Sequence, residues 1–289
     1  MEIKMSWLSI EKATESPYWS SLKELVRQQE TCCIDAVSML TGNEGSKPII
    51  AHSDGNTVDA ALFFTSYGRI MPVLAPQFFF HMEDVKETAY LAGNTVYLPT
   101  SVSGKTEAVD MFLEKFSCGQ HQQVIEHYIM ELESPHLMQA LPEPPAKMQI
   151  HMGSRRHILP LFPLQKTYER QEVLLNPEAQ DLMETFRWLK SILTTETCFY
   201  ARRGLHYVSK ANTNAKGFDH IQIGGVFTVP KFRNQGYALH TVAALCRYIL
   251  EQEHKKPSLF VKTDNENAIN LYKKLGFEIK NKTKTVYLN

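Results

Sequence analysis

Apolar residues along the chain alternate between two periods, and the switches between them mark the elements. In the first half, Leu22, Leu25, Val26, Gln29 and Cys33 share one face of a helix over residues 17–40. The turn-forming run Thr41-Gly-Asn-Glu-Gly-Ser ends it. Strands are predicted over 47–52, 58–65 and 69–74, joined by the turns Asp54-Gly-Asn and Ser66-Tyr-Gly68. A helix at 82–92, a strand at 95–98, a helix at 106–116 and a strand at 124–132 follow. Val109, Phe112, Leu113 and Phe116 form the stripe of the second helix.

The second half opens on Ile158-Leu-Pro-Leu-Phe-Pro. It then reads as helices at 165–175 and 177–193, the latter with Leu182, Phe186, Leu189 and Leu193 inward and Pro177 suited to its start. Strands at 197–202 and 205–211 meet at Arg203-Gly204, and a polar loop spans 212–219. A strand at 220–229, a helix at 236–252, a strand at 258–263 and a helix at 266–275 follow. Gly276 is placed as a C-terminal cap, and strands at 277–280 and 283–288 close the chain.

Each half therefore reads β-β-β-α-β-α-β, a repeat of element order without evident sequence identity. Between the halves, Leu141-Pro-Glu-Pro-Pro-Ala146 can continue neither a helix nor a central strand. This predicts a first domain over 1–140, a stiff connector over 141–149 and a second domain over 150–289.

Composition narrows the class. The 289 residues are 43% hydrophobic and 21% charged, suited to a packed globular core. The formal net charge is zero, which removes the general electrostatic argument for nucleic acid or an anionic membrane as partner. Cys32, Cys33, Cys118, Cys198 and Cys246 show no paired spacing, so reduced, mostly buried thiols are expected. No His pair has metal-ligand spacing, and no metal is expected. The absence of an apolar signal core and of any run near ~20 apolar residues leads to the expectation of a soluble cytoplasmic protein.

The chemistry concentrates where the strand at 220–229 gives way to the helix at 236–252. A strand, a short polar loop with Gly236 and a helix N-terminus make an anion site. The first helical amides lack backbone partners, and the helix dipole favours negative charge there. Arg233 adds a permanent positive charge. A phosphate-bearing ligand is the natural expectation. The first half differs at the matching place. Its loop Ala75-Pro-Gln-Phe-Phe-Phe-His-Met82 has no Gly and carries three consecutive aromatics. Ser103-Gly-Lys-Thr106 suggests a nucleotide loop, but the leading Gly that such a loop needs is replaced by Pro99.

Arg233-x-x-Gly236-x-Ala238 resembles the phosphate loop of the GNAT superfamily of acyl-CoA-dependent N-acyltransferases. Asn265-Glu-Asn-Ala268-Ile-Asn-Leu271-Tyr272-Lys-Lys-Leu275-Gly276-Phe277 resembles a second signature of that superfamily, in the same order along the chain. The resemblance covers about 158–289 by motif and the first 140 residues by element order. It implies an α/β protein of two tandem GNAT-like domains, each a mixed, mostly antiparallel sheet flanked by helices, the first lacking the phosphate loop.

It also implies roles. The backbone of Val226, Phe227, Thr228 and Val229 would pair with the pantetheine arm of acetyl-CoA. Arg233, Asn234, Gln235, Gly236, Tyr237 and Ala238 would cradle its pyrophosphate. Asn265 would bridge to the arm, cap a helix, or both. Tyr272 would protonate the departing thiolate, although its spacing also fits a core aromatic. The strand at 220–229 lacks the Glu that often serves as base. His220 or Glu172 could take that part, Glu172 lying in Tyr168-Glu-Arg-Gln-Glu-Val173, which resembles a subset of two-domain members. Gly224 and Gly225 mark either a bulge or tight packing. The expected reaction moves an acetyl group from acetyl-CoA to an unidentified primary amine by direct attack. A non-catalytic acyl-CoA-binding protein and an enzyme for longer acyl chains are the alternatives, and the oligomeric state is open.

Overall fold

The computed structural model describes residues 6–41, 49–53, 55–65, 68–80, 99–116 and 121–288. The expected helix at 82–92 and strand at 95–98 lie outside the described residues. Among the described residues of the first half, the strands are β1 (Ser6–Ile10), β2 (Ile49–Ser53), β3 (Val58–Phe64), β4 (Arg69–Leu74), β5 (Ser101–Lys105) and β6 (His121–Leu132). The helices are α1 (Trp19–Arg27), α2 (Ile34–Leu40) and α3 (Thr106–Lys115). The second half supplies β7 (Met148–Met152), α4 (Ile158–Tyr168), α5 (Leu182–Thr195), β8 (Cys198–Arg203), β9 (His206–Lys216) and β10 (His220–Thr228). Then come α6 (Tyr237–Tyr248), β11 (Lys256–Lys262), α7 (Glu266–Leu275) and β12 (Phe277–Leu288).

These strands form one sheet in the order β1-β2-β3-β4-β5-β12-β6-β11-β10-β9-β8-β7. The halves exchange their last strands. β6, from the first half, lies antiparallel to β11, while β12, from the second, lies antiparallel to β5. β6 and β12 also pair with each other from Phe277–Leu132 to Leu288–His121, with a bulge between Ile279 and Asn281. Each exchanged strand feeds the other half's core. Met130 and Leu132 pack with Val242, Leu245, Leu259 and Tyr272, whereas Val286 and Leu288 pack with Trp7, Ile50, Leu62 and Phe112. At about 1.5–3 kcal/mol for each fully buried large apolar side chain, this interlock is a substantial part of both cores.

The repeat runs longer than its sequence pattern suggests. Each half begins with a further strand and two helices: β1, α1 and α2 in the first, β7, α4 and α5 in the second. β1 and β7 are the sheet's two edges, and short edge strands carry little periodicity. The single helix expected over 17–40 is broken by a 3-10 turn at Glu30–Cys32, which carries the Glu30 carboxylate inward onto the backbone N–H groups of Asp219 and His220. The polar loop expected over 212–219 is mostly β9. Asn212 and Thr213 are buried there, and their polarity is met inside the fold. The Asn212 amide donates to Asn214, and Thr213 donates to Glu196.

The first helix of the second half begins at Ile158 rather than at 165, with Pro163 inside it, and passes into a π turn at Glu169–Val173. The strands expected at 277–280 and 283–288 are one strand, β12, continuous through its bulge. Ser103, Gly104 and Lys105 lie in β5, and Thr106 starts α3, so this run is extended backbone rather than a nucleotide loop. Phe78 and Phe80 are buried against Trp7, with Phe80 also against Phe112 and Phe116. Among the described residues no helix is long and apolar enough to cross a membrane.

Candidate active site

The site begins with two strands that part. β10 and β11 are paired in parallel from His220–Lys256 to Ile223–Leu259. Beyond that point β10 keeps only β9, and β11 keeps only β6. The divergence coincides with a bulge between Gly224 and Phe227 on the β9 side, where Gly225 has φ +57°. A side chain at Gly224 would meet the Asn214 amide. One at Gly225 would meet the Asn212 amide and, at 2.8 Å, the Lys210 ammonium. Both readings of the glycine pair therefore hold, because the bulge exists and neighbouring side chains occupy the space that the glycines leave.

The opening is a cavity of about 980 Å³. At one end, a 3-10 turn over Pro230–Phe232 leads through Asn234 (φ +59°) and Gly236 (φ +89°) into α6. The first intrahelical bond runs from the His240 N–H to the Gly236 carbonyl at 3.1 Å. The amides of Tyr237, Ala238 and Leu239 thus precede the intrahelical ladder, no side chain caps the helix, and all three residues line the cavity. A Cβ on Gly236 would have no neighbour closer than 3.8 Å, so its role is the left-handed backbone rather than tight packing.

Most of the expected site residues meet here. Val226, Phe227, Thr228, Arg233, Asn234, Gly236, Tyr237, Ala238, Asn265, Tyr272 and Glu172 all line the cavity. Val229 and Gln235 do not. The Val229 N–H bonds back to the Val208 carbonyl at 2.9 Å, and the Gln235 amide to the Lys231 carbonyl at 3.1 Å. Arg233 braces the loop. Its Nε donates to the Thr228 carbonyl at 3.1 Å and its Nη2 to the Gln171 amide oxygen at 2.9 Å. Asn265 caps α7 by accepting from the Ala268 N–H at 3.1 Å.

Tyr272 lies on α7 with its ring 5.9 Å from Phe277, and burial pushes its phenol well above the ordinary value. Glu172 reaches the cavity from the π turn, its carboxylate 3.8 Å from the Lys262 ammonium. That contact spans from the turn to β11.

His220 is elsewhere. It stands at the start of β10 between two carboxylates, Nδ1 3.5 Å from Glu30 and Nε2 3.5 Å from Glu131. Burial opposes its charge, but the attraction of Glu131 and Glu30 outweighs that and raises it to about 9. A histidine that is already protonated at neutral pH cannot accept an amine's proton, so the sequence-based candidacy of His220 as base does not survive its surroundings.

The cavity also contains residues that the motifs passed over. Tyr168, at the end of α4, lines it. Burial raises its phenol to about 12. Asn214, Gln222 and His127 line it too, and burial lowers the His127 pKa. Lys210 lies directly behind the bulge, fully buried. One signal for it exists in the sequence: on a strand, Lys210 shares the parity of Val208 and is thus a lysine at an inward position. Among the described residues no group of three or more His, Cys, Asp or Glu is placed to hold a metal ion.

Comparison with known proteins matches this half. Residues 208–287 match the family of FR47-like proteins. No curated protein matches the sequence. Solved structures similar over nearly the whole chain include a tandem GNAT protein from the clavulanic acid biosynthesis pathway. It is 11% identical with a TM-score of 0.60, and the match covers 98% of each chain. A GNAT-family acetyltransferase from Colwellia psychrerythraea is 9% identical with a TM-score of 0.60, covering 98% of this chain and 100% of that one. A GCN5-related N-acetyltransferase from Sphaerobacter thermophilus is 13% identical with a TM-score of 0.60, covering 97% and 94%. The chain has the fold of these tandem GNAT proteins, and residues 208–287 of its second half match the FR47-like family.

Proposed function

We propose that the protein is an acyltransferase that moves an acetyl group from acetyl-CoA to a primary amine within a ternary complex. One observation carries this reading: a single cavity joins the parted strands β10 and β11, the open amides of α6 and the phenol of Tyr272. The residues fit the cosubstrate. The left-handed Gly236 and the amides of Tyr237 to Leu239 would receive linked phosphates. The bared edge of β10 at Val226 to Thr228 would take an extended arm as an added strand.

In the proposed reaction the amine nitrogen bonds to the thioester carbon and the carbon–sulfur bond breaks. Glu172 takes the proton that the amine loses. The Tyr272 phenol, kept protonated by burial, supplies one to the departing sulfur. Holding both reactants in one cavity carries much of the acceleration. No covalent enzyme intermediate is required. Cys246 is buried on α6, and burial raises its thiol well above the reactive range.

A non-catalytic acyl-CoA-binding role is the second reading. It is favoured by the ion-paired state of His220 and by the packing of Tyr272 against Phe277. CoA release with a panel of amines separates the two, measured for wild type and Tyr272→Phe. Turnover that falls in the variant with acetyl-CoA affinity retained supports catalysis. Tight binding without turnover on any amine supports the second reading.

A further inference from the structure

A lysine lies fully buried in the second half, directly behind the bulge of β10. Lys210 on β9 has no solvent exposure. Its ammonium donates to the Gly225 carbonyl at 2.9 Å and to Asn212 Oδ1 at 3.1 Å. It stands 5.0 Å from the centre of the Tyr168 ring. A side chain at position 225 would come within 2.8 Å of this ammonium, so the glycine is what lets the cation reach the strand. No carboxylate lies within ion-pair distance of it among the described residues. A buried lysine without a carboxylate partner is costly, which argues that the charge is retained for use.

Its target is a single peptide group. The Gly225–Val226 peptide is trans, so its N–H leaves on the side opposite the carbonyl that Lys210 holds. Val226 lines the cavity at the point where the strands part. A cation on a carbonyl oxygen polarises the whole amide and makes its N–H a stronger donor.

We propose that Lys210 is a positioning residue: its ammonium fixes and polarises the Gly225–Val226 peptide, so that the Val226 N–H binds and activates the acyl oxygen of a thioester in the cavity. This rests on the acyl-CoA reading above. Charge that develops on that oxygen as the amine attacks is met by a donor that is already oriented, without any proton leaving Lys210.

Acetyl-CoA labelled with ¹³C at the carbonyl tests this without knowledge of the acceptor. Isotope-edited infrared spectra report how far binding moves the carbonyl band to lower wavenumber. Unlabelled CoA, which lacks the acyl oxygen, reports affinity alone. The expected result is a band shift in wild type that is largely lost in Lys210→Met, with CoA affinity unchanged. With any amine that turns over, kcat falls roughly tenfold while KM for acetyl-CoA holds.

The pH dependence of the band shift provides a second measurement. The titratable groups facing Lys210 are Tyr168 on α4, Glu169 beyond it, and Cys198 and Tyr200 on β8. Burial raises Tyr168 to about 12 and Cys198 to about 11, and raises Tyr200 too. Lys210 is lowered by burial to about 8, so it alone of these loses its proton between about pH 7 and about pH 10. The band shift should decline over that interval in wild type. An equal shift in wild type and Lys210→Met, or a wild-type shift indifferent to pH, overturns the proposal. If Lys210→Met fails to fold, Lys210→Gln takes its place, since His220, raised to about 9, also loses charge in this interval and the pH series is read only beside a variant. Failure of wild type to bind CoA at all overturns the acyl-CoA reading itself, and this inference with it.

Discussion

The Glu30 carboxylate accepts the backbone N–H of His220 at 2.8 Å and lies 3.5 Å from its ring. One residue belongs to the first half and the other to the second. Around this contact, Glu131 holds the far side of the ring, and Lys256 joins Glu131 at 3.3 Å to Glu133 at 2.6 Å. The network fastens the start of β10, and hence the parting of β10 and β11, to a turn of the other half.

A pH dependence follows. The folded His220 value of about 9 lies above its ordinary 6.5. Its contribution to stability is therefore full below about pH 6.5 and is lost as pH rises towards 9. Glu131 is lowered to about 2 from 4.5, chiefly by the neighbouring His220 ring. Its contribution is full above pH 4.5 and is lost as pH falls towards 2. His220→Leu should lower stability by about 3 kcal/mol near pH 6, because it leaves the buried Glu30 carboxylate facing the half-buried Glu131. The difference in Tm between wild type and variant should shrink from about pH 6.5 to 9. A constant difference across that range would show that the charge on His220 is not what matters.

Gly236→Ala tests the phosphate end. The new methyl has room, with no atom closer than 3.8 Å, but φ +89° is strained for any L side chain. The loop should relax at a local cost of about 1–2 kcal/mol and misalign the amides of α6. CoA affinity by calorimetry should fall roughly tenfold while Tm changes little. An unaltered affinity would mean that the amides do not hold the ligand.

The exchanged strands predict what happens when the chain is cut. Residues 141–289 alone lack β5 and β6, so β11 loses one of its two neighbours and β12 loses both of its own. Unpaired inner strands with apolar faces aggregate. We expect this fragment to be insoluble by itself, and to become soluble and bind CoA when residues 1–140 are produced with it as a second chain. A folded, CoA-binding fragment on its own would show that β6 is dispensable and that the halves are separable domains.

The exchange also shows where sequence reading stops. Period and caps located β10, α6, β11 and α7 to within a few residues, because one apolar face of each is buried and the others are not. The resemblance of the two motifs is what singled out Tyr272, Gly236 and Asn265 together, and all three line one cavity. The partner of β6 was not legible, since an alternating strand reveals that it is covered but not by which half. Lys210 carried no motif and was passed over, and His220 was offered as a base, because only the third dimension supplies Gly225 and Glu131 as their neighbours.

Glu172 is the remaining candidate for the proton that the amine must lose. It is the carboxylate that lines the cavity with Tyr272 among the described residues, and it lies 3.8 Å from the Lys262 ammonium. Glu172→Gln keeps the shape and the Lys262 contact but removes the base. At neutral pH, kcat with a lysine-like amine should fall by about a hundredfold. Such an amine titrates near ~10.4, so raising the pH supplies the free base from solution and makes a protein base less necessary. The ratio of wild-type to variant rates should therefore narrow as pH climbs from 7 towards about 9.5. A ratio that stays constant with pH, with acetyl-CoA affinity intact, would instead assign Glu172 to holding Lys262 and the π turn in place, and the amine would then have to shed its proton to water.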